Sequence, residues 1–249
     1  VQSALVLGCR VDALGPEEAV REIVGRAQEN EPSLVVTLGT EMVMRAQTDE
    51  RFRAVVNGAA LSLCDTAGVE FAAKLSGKHV PRVAGIDLID QLCEACSRLA
   101  IRVYLVGAKG ETARRAADEL QRRHPGLVVS GARDGYFPQE EEDEVAAQIA
   151  RSGANLVFAG LGSPRQEFWI AEHLVASGAC VGIGVGGSFD VIAGNVRRAP
   201  SLWRSLNLEW LYRLLREPWR LRRQTALPKF AWLVICERLG LYHPGSVKA

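Results

Sequence analysis

Two glycine turns, each at the end of an apolar run, carry the residues best suited to hold a ligand. Gly160-Leu-Gly-Ser-Pro-Arg-Gln-Glu167 follows the run Leu156–Ala159, and Gly182-Ile-Gly-Val-Gly-Gly-Ser-Phe-Asp190 grows out of Cys180–Ile183. Glycine lets the backbone approach a phosphate, and a helix that follows offers unpaired N–H groups to an anion. The segment therefore has the make-up of half a nucleotide or sugar-phosphate site. Gly160, Gly162, Gly186 and Gly187 would present backbone to the ligand. Gln166 can hydrogen-bond a sugar or a base edge. Glu167 suits the positive end of a helix. Asp190 can bind a sugar hydroxyl, or cap a helix.

In the first half Thr37, Gly39, Asp65 and Arg82 all stand at or just after strand ends. Asp65 closes Leu61-Ser-Leu-Cys64 and gives way to Thr66-Ala-Gly68. A carboxylate placed there can take a proton from a hydroxyl as a general base; the plainer role is the N-cap of a helix starting near Ala67. Arg82 can grip a phosphate or carboxylate bidentately, or form a surface ion pair. Asp87 suits an N-cap or a first turn. Near the other end, Arg213, Arg216, Arg220 and Arg223 follow helical spacing and share one face. Such a face can clamp a diphosphate, rest on anionic lipid or remain solvated.

These side chains need a scaffold that ends several strands together, and the alternation of apolar runs with helical periodicity supplies one. Strands are expected at Ala4–Gly8, Leu34–Leu38, Leu61–Cys64, Val103–Val106 and from Val128, besides the two glycine-ended ones. Helices are expected at Pro16–Glu29, from Thr40, at Ile86–Leu99, up to Arg123 and at Gln139–Ala150. This order implies an α/β body with a mostly parallel, doubly wound (Rossmann-like) sheet, whose ligand crevice lies at the carboxyl ends of the strands. Residues 1–195 carry 19 basic and 26 acidic side chains, whereas residues 196–240 carry 10 and 3. Four of the five tryptophans also follow residue 200. A catalytic body over 1–195 and a helical, basic appendage over 196–249 are therefore expected. Its helices would be Pro200–Leu206, Leu208–Arg216 and one starting near Pro218 or Pro228. A basic, Trp-rich segment on an acidic body points to a membrane surface or an anionic ligand.

Other chemistries find less support. The six cysteines are scattered through apolar runs, which points to reduced, buried thiols and a cytosolic setting. Cys93 and Cys96 form a CxxC, but mid-helix and with no second pair. There is no Asp-x-Asp and the four histidines are isolated along the chain, so no metal is expected. Gly182, Gly184 and Gly187 match GxGxxG, which keeps an NAD(P)-dependent oxidoreductase in view. The match comes late in the chain, however, and no acidic strand end follows it at the ribose-binding distance. The acidic body and the lack of a reading head argue against nucleic acid. No signal peptide or apolar run of membrane-spanning length is seen.

Taken jointly, these motifs resemble the bacterial WecG/TagA/CpsF glycosyltransferases, also known as glycosyltransferase family 26. The resemblance runs from Val11-Asp-Ala-Leu14 to Glu237-Arg238-Leu239. It is carried by Thr37-Leu-Gly-Thr-Glu-Met42, Arg82-Val-Ala-Gly-Ile-Asp-Leu88 and Asp134-Gly-Tyr-Phe137, by Glu209-Trp-Leu-Tyr-Arg213, and above all by the two glycine turns. It implies an inverting, metal-independent and cofactor-free transferase. The donor would be a UDP-sugar, N-acetylmannosamine or a related hexose. The acceptor would be a polyprenyl-diphosphate-linked sugar, in teichoic-acid or surface-polysaccharide synthesis at the inner face of the bacterial membrane. By resemblance Asp65 is the base, with Thr37 beside it, and Arg82, Gln166 and Asp190 are polar pocket residues. Arg213, Arg220 and Arg223 would close over the diphosphate on a membrane-docking appendage, and self-association is common in the family. A non-catalytic sugar-nucleotide-binding module is the other alternative. The family usually has Asn at Gly39 and Gly at Thr66, differences that bear on which sugar is used.

Overall fold

Short runs of β-branched and aliphatic residues form six strands that pair in parallel, in the order β4-β3-β8-β7-β5-β6. They are β3 (Ser33–Leu38), β4 (Leu61–Cys64), β5 (Arg102–Gly107), β6 (Val128–Arg133), β7 (Leu156–Gly160) and β8 (Val181–Gly184). The computed structural model describes residues 1–29, 31–200, 202–203, 209–216 and 226–244. The doubly wound parallel sheet is as expected. Side chains alternate across it as the strand period requires. Val35, Val103, Leu105, Leu156 and Phe158 enter one core, which is closed by α1 (Pro16–Glu29), α5 (Gly85–Leu99), α6 (Thr112–Arg123) and α9 (Ser188–Ile192). Val36 and Leu38 face the opposite side, under α2 (Thr40–Ala46), α3 (Glu50–Gly58) and α4 (Ala67–Leu75). Tyr104, Val106, Val157 and Ala159 face that same side further along, under α7 (Glu142–Ser152) and α8 (Arg165–His173).

The amino end departs from expectation. A single strand is expected over Ala4–Gly8, but the chain forms an antiparallel hairpin, β1 (Ser3–Val6) and β2 (Cys9–Asp12). Its two-residue turn places Leu7 at φ +46° and Gly8 at φ +75°, the handedness that matches strand twist. Leu-Gly is a poor hairpin signal, because a leucine in that region is strained. Tertiary contacts hold it there. Leu7 is buried, the Gln47 side-chain amide donates to its carbonyl at 2.8 Å, and Asn57 donates to that of Gly8 at 2.9 Å. The hairpin also covers the edge strand β4, where Asp12 Oδ2 accepts the Ser62 amide at 2.8 Å. Beyond residue 200 the described helices are residues 202–203, α10 (Glu209–Arg216) and α11 (Ala226–Arg238). Most of the helix expected at Pro200–Leu206 lies outside the described residues. Phe230 and Val234 of α11 join the core beside α2 and α4, so this end of the chain shares the hydrophobic core of the body.

All six cysteines are free and buried. Burial pushes the thiols of Cys64 and Cys96 up to about 12 and raises that of Cys93 further, so the CxxC carries no reactive thiolate.

One close approach sets the spacing of the strand ends. Gly107 pairs with Gly160 in register and sits at φ +144°. A Cβ there would lie 2.5 Å from the Gly160 backbone. Gly107→Ala is expected to cost about 2–3 kcal/mol, which lowers the melting temperature by roughly 5–10 °C for a domain of this size. Thermal unfolding checks this, and an unchanged midpoint would mean that β5 and β7 part freely.

Candidate active site

In a parallel sheet every strand ends on the same edge. Because β3 lies between β4 and β8, the residues that follow these three strands become neighbours although far apart in sequence. Thr37 Oγ1 donates to the Gly184 carbonyl at 2.8 Å, a contact spanning 147 residues. Asp65 continues the ladder, its amide donating to the Leu38 carbonyl at 3.1 Å. Its Oδ1 accepts the Gly85 amide at 2.8 Å, and Arg82 Nε donates to its backbone carbonyl at 2.8 Å. A Cβ on Gly85 would lie 3.7 Å from both Asp65 Oδ1 and Thr37 Oγ1, so the three residues converge on one point. The structure thus brings together Thr37, Asp65, Arg82 and the Gly184 turn. Asp65 does act at a helix start, but not the one expected. Thr66 precedes α4 without a side-chain cap, while Asp65 accepts from the first residue of α5. Arg82 turns inward on this backbone.

Gly39 precedes α2 in extended conformation, and a Cβ there would meet Thr66 Cγ2 at 3.4 Å. Gly39 and Thr66, far apart in sequence, are therefore neighbours. Thr66 Oγ1 in turn shares a 3.0 Å hydrogen bond with Thr40 Oγ1.

The second glycine turn is built from within. Gln166 is only 3% exposed and Glu167 is fully buried. Gln166 Nε2 donates to Glu167 Oε1 at 2.7 Å, and its Oε1 accepts the Gly186 amide at 3.0 Å. The Gln166 side chain, expected to meet a ligand, thus props the turn from behind with both ends of its amide. Gly184 must lack a side chain for this, since a Cβ would lie 2.6 Å from Gln166 Nε2. Gly160 likewise packs against protein, its Cβ position being 2.8 Å from Phe189 and 3.0 Å from the Gly186 carbonyl. Gly162 (φ +80°), Gly186 (φ +53°) and Gly187 face open space, where a ligand can approach. Asp190 lies on α9 and accepts from Asn195 at 3.1 Å; Asn195 also donates to Thr112 at 3.1 Å and accepts from Arg115. This links α9 to the start of α6. Arg213 is on α10, but its side chain lies outside the description; Arg220 and Arg223 lie outside the described residues.

Sequence reasoning missed two features. Asp87, in the first turn of α5, binds Arg198 bidentately, both contacts being 2.6 Å. The pair borders a cavity of about 290 Å³ that also takes in Arg82 and Gln91. Nothing in the local pattern links positions 87 and 198. The histidines are also not isolated in space. His173 contacts Glu142 at 3.2 Å and Asp143 at 3.5 Å, and together with Glu142 and Glu172 it forms the one group among the described residues that could hold a cation. Arg165 pairs with Glu142 and Arg51 with Glu172, so guanidinium charge already neutralises these carboxylates.

No helix among the described residues is long and apolar enough to cross a membrane. The glycosyl transferase WecG/TagA/CpsF family model matches residues 4–244. A Bacillus spizizenii protein named N-acetylglucosaminyldiphosphoundecaprenol N-acetyl-beta-D-mannosaminyltransferase is 38% identical over 208 residues, 83% of this chain and 80% of that protein. A Bacillus subtilis protein of the same name is 35% identical over 206 residues, 82% and 80% of the two chains.

Burial raises the Glu167 carboxyl above its ordinary range, opposed by the hydrogen bond from Gln166. A carboxyl raised on folding binds more protons in the native state. Its stabilisation is complete below the unfolded value near 4.3 and is lost as pH rises through the folded value. Glu167→Gln keeps an acceptor for Gln166 and should flatten that decline. Melting temperatures of both proteins from about pH 4 to 8 check this, and parallel curves would assign the pH dependence elsewhere.

Proposed function

Since the chain belongs to the WecG/TagA/CpsF glycosyltransferase family, we propose that it transfers N-acetylmannosamine or a related hexose from its UDP donor to a polyprenyl-diphosphate-linked N-acetylglucosamine. The observation that carries this reading is the convergence of Asp65, Thr37 and Gly85 beside the Gly184 turn. The donor would lie over the open glycines 162, 186 and 187. The Asp65 carboxylate would take the proton of an acceptor hydroxyl. That oxygen would bond to the anomeric carbon from the face opposite UDP, the carbon–oxygen bond to the diphosphate would break, and configuration would invert.

The Gly85 amide fixes one carboxyl oxygen and Arg82 fixes the backbone, so the base is held in position before substrate arrives. Such preorganisation costs no rearrangement during reaction. The leaving diphosphate needs positive charge, and Arg213, Arg220 and Arg223 are our candidates to supply it. No metal or cofactor has a part in this scheme. Gln166 and Asp190 enter it as residues that shape the glycine turn and its junction with α6. The basic 196–249 segment would hold the enzyme on the inner membrane face, where a lipid-linked acceptor is presented, and self-association is part of the same reading.

Asp65→Asn keeps an oxygen for the Gly85 amide but removes the base. Turnover should fall by about 10²–10⁴-fold, while UDP-sugar affinity stays within about twofold. UDP release with the lipid-linked acceptor and donor titration measure the two. Unchanged turnover would remove Asp65 as base, and donor binding without UDP release in wild type would favour a non-catalytic module.

A further inference from the structure

We propose that the cavity at the amino end of α5, lined by Arg82 and Ala84 next to the Gly85 amide that Asp65 accepts, receives the terminal sugar of the acceptor, and that Asp87 and Arg198 form the wall that selects it. The inference rests on the transferase reading above and gives that site its second half. A transferase base must stand between two substrates, and the contacts around Asp65 lead in two directions. Thr37 leads to Gly184 and the open glycines. The Gly85 amide and Arg82 lead instead to the amino end of α5, where the cavity lies. A hydroxyl reaching Asp65 from the α5 side would face a donor held on the glycine side.

The cavity suits one sugar ring. Its 290 Å³ is at the lower limit of small-molecule sites. Pro16 supplies apolar surface for the C–H face of a hexose, with the buried Val83 and Leu88 behind it. Asp87 offers carboxylate acceptors and Arg198 guanidinium donors. Gln91, one helical turn after Asp87 and so on the same face of α5, offers an amide that can pair with an N-acetyl group. The Asp87–Arg198 pair is neutral as a unit, which fits an uncharged ring, and Arg82 adds positive charge where the acceptor's own diphosphate would follow. The pair is also within reach of a ligand, its side chains being 50% and 24% exposed.

The connection after α9 gives the pair a second role. Asn195 bonds Asp190 and Thr112, and Arg198, three residues later, bonds Asp87. The same short segment therefore reaches from the glycine turn to this cavity, and Asp87 fixes its far end.

The test separates donor from acceptor. Asp87→Asn, Arg198→Ala, the swap Asp87→Arg with Arg198→Asp, and Gln91→Ala are compared with wild type. Donor affinity, acceptor KM, kcat and melting temperature are measured for each. Gln91 is exposed at the helix surface, so its truncation leaves folding intact. The acceptor KM should rise about tenfold or more in Asp87→Asn and Arg198→Ala, with donor affinity held and partial recovery in the swap. Gln91→Ala should reduce the preference for an N-acetylated acceptor over its plain hexose counterpart. Unchanged acceptor KM in folded variants, or equal weakening of donor and acceptor, overturns the subsite. If the single variants do not fold, an unaltered acceptor preference in Gln91→Ala overturns it alone. Wild-type protein that binds UDP-sugar but transfers to no lipid diphosphate overturns the transferase reading, and this inference with it.

Discussion

The site depends on β3 being paired with β4 on one side and β8 on the other. That arrangement sets the Asp65 carboxylate, from the first half of the chain, beside a glycine turn from the second. The Thr37–Gly184 hydrogen bond is the visible seam. A neutral hydrogen bond of this kind contributes only about 1 kcal/mol net, so it cannot assemble the sheet. It reports an arrangement held by the buried strands, whose inward residues are almost all fully inaccessible. Parallel strands require long crossovers, and here those crossovers include helices that carry more of the site. The α5 crossover brings Gly85 and Asp87 and the α8 crossover Gln166 and Glu167, while α9, after the last strand, brings Asp190.

What the sequence reveals follows from how local each signal is. The helix at Pro16–Glu29 has the bounds its periodicity implies, because proline start, acidic first turn and apolar spacing are all local. The six sheet strands emerge for the same reason. The hairpin turn at Leu7-Gly8 does not, since its strained leucine is held by Gln47 and by burial, neither of which is local. Asp65 stands out as a carboxylate at a strand end, but its partner Gly85 is 20 residues away. The Asp87–Arg198 contact spans 111 residues, and only folding reveals it.

Glycine shows the same distinction. A glycine in sequence signals that a side chain is not tolerated, without saying what would collide with it. At Gly160 and Gly184 the neighbour is protein: Phe189 for one, Gln166 and Glu167 for the other. At Gly162 and Gly186 the constraint is positive φ with open space around it. One motif therefore mixes packing glycines with glycines that face open space. The packing glycines also account for Gln166, whose amide looked free to meet substrate but occupies room that Gly184 leaves.

Glu167 carries this reasoning furthest. A fully buried carboxyl is costly, and one whose Oε2 has no hydrogen-bond partner costs more than a glutamine or a leucine would. Local stability therefore does not explain it. It is bonded to Gln166, and through Gln166 to the Gly186 amide, and the Ser163 hydroxyl also acts on the carboxyl. A rigid acceptor at that depth leaves the Gln166 amide one orientation, nitrogen inward and oxygen toward the turn. The turn is then held by a carbonyl oxygen that accepts the Gly186 N–H. An amide free to flip would offer that N–H a donor instead. The buried carboxyl is best understood as the cost of orientation, since it holds the turn in one shape.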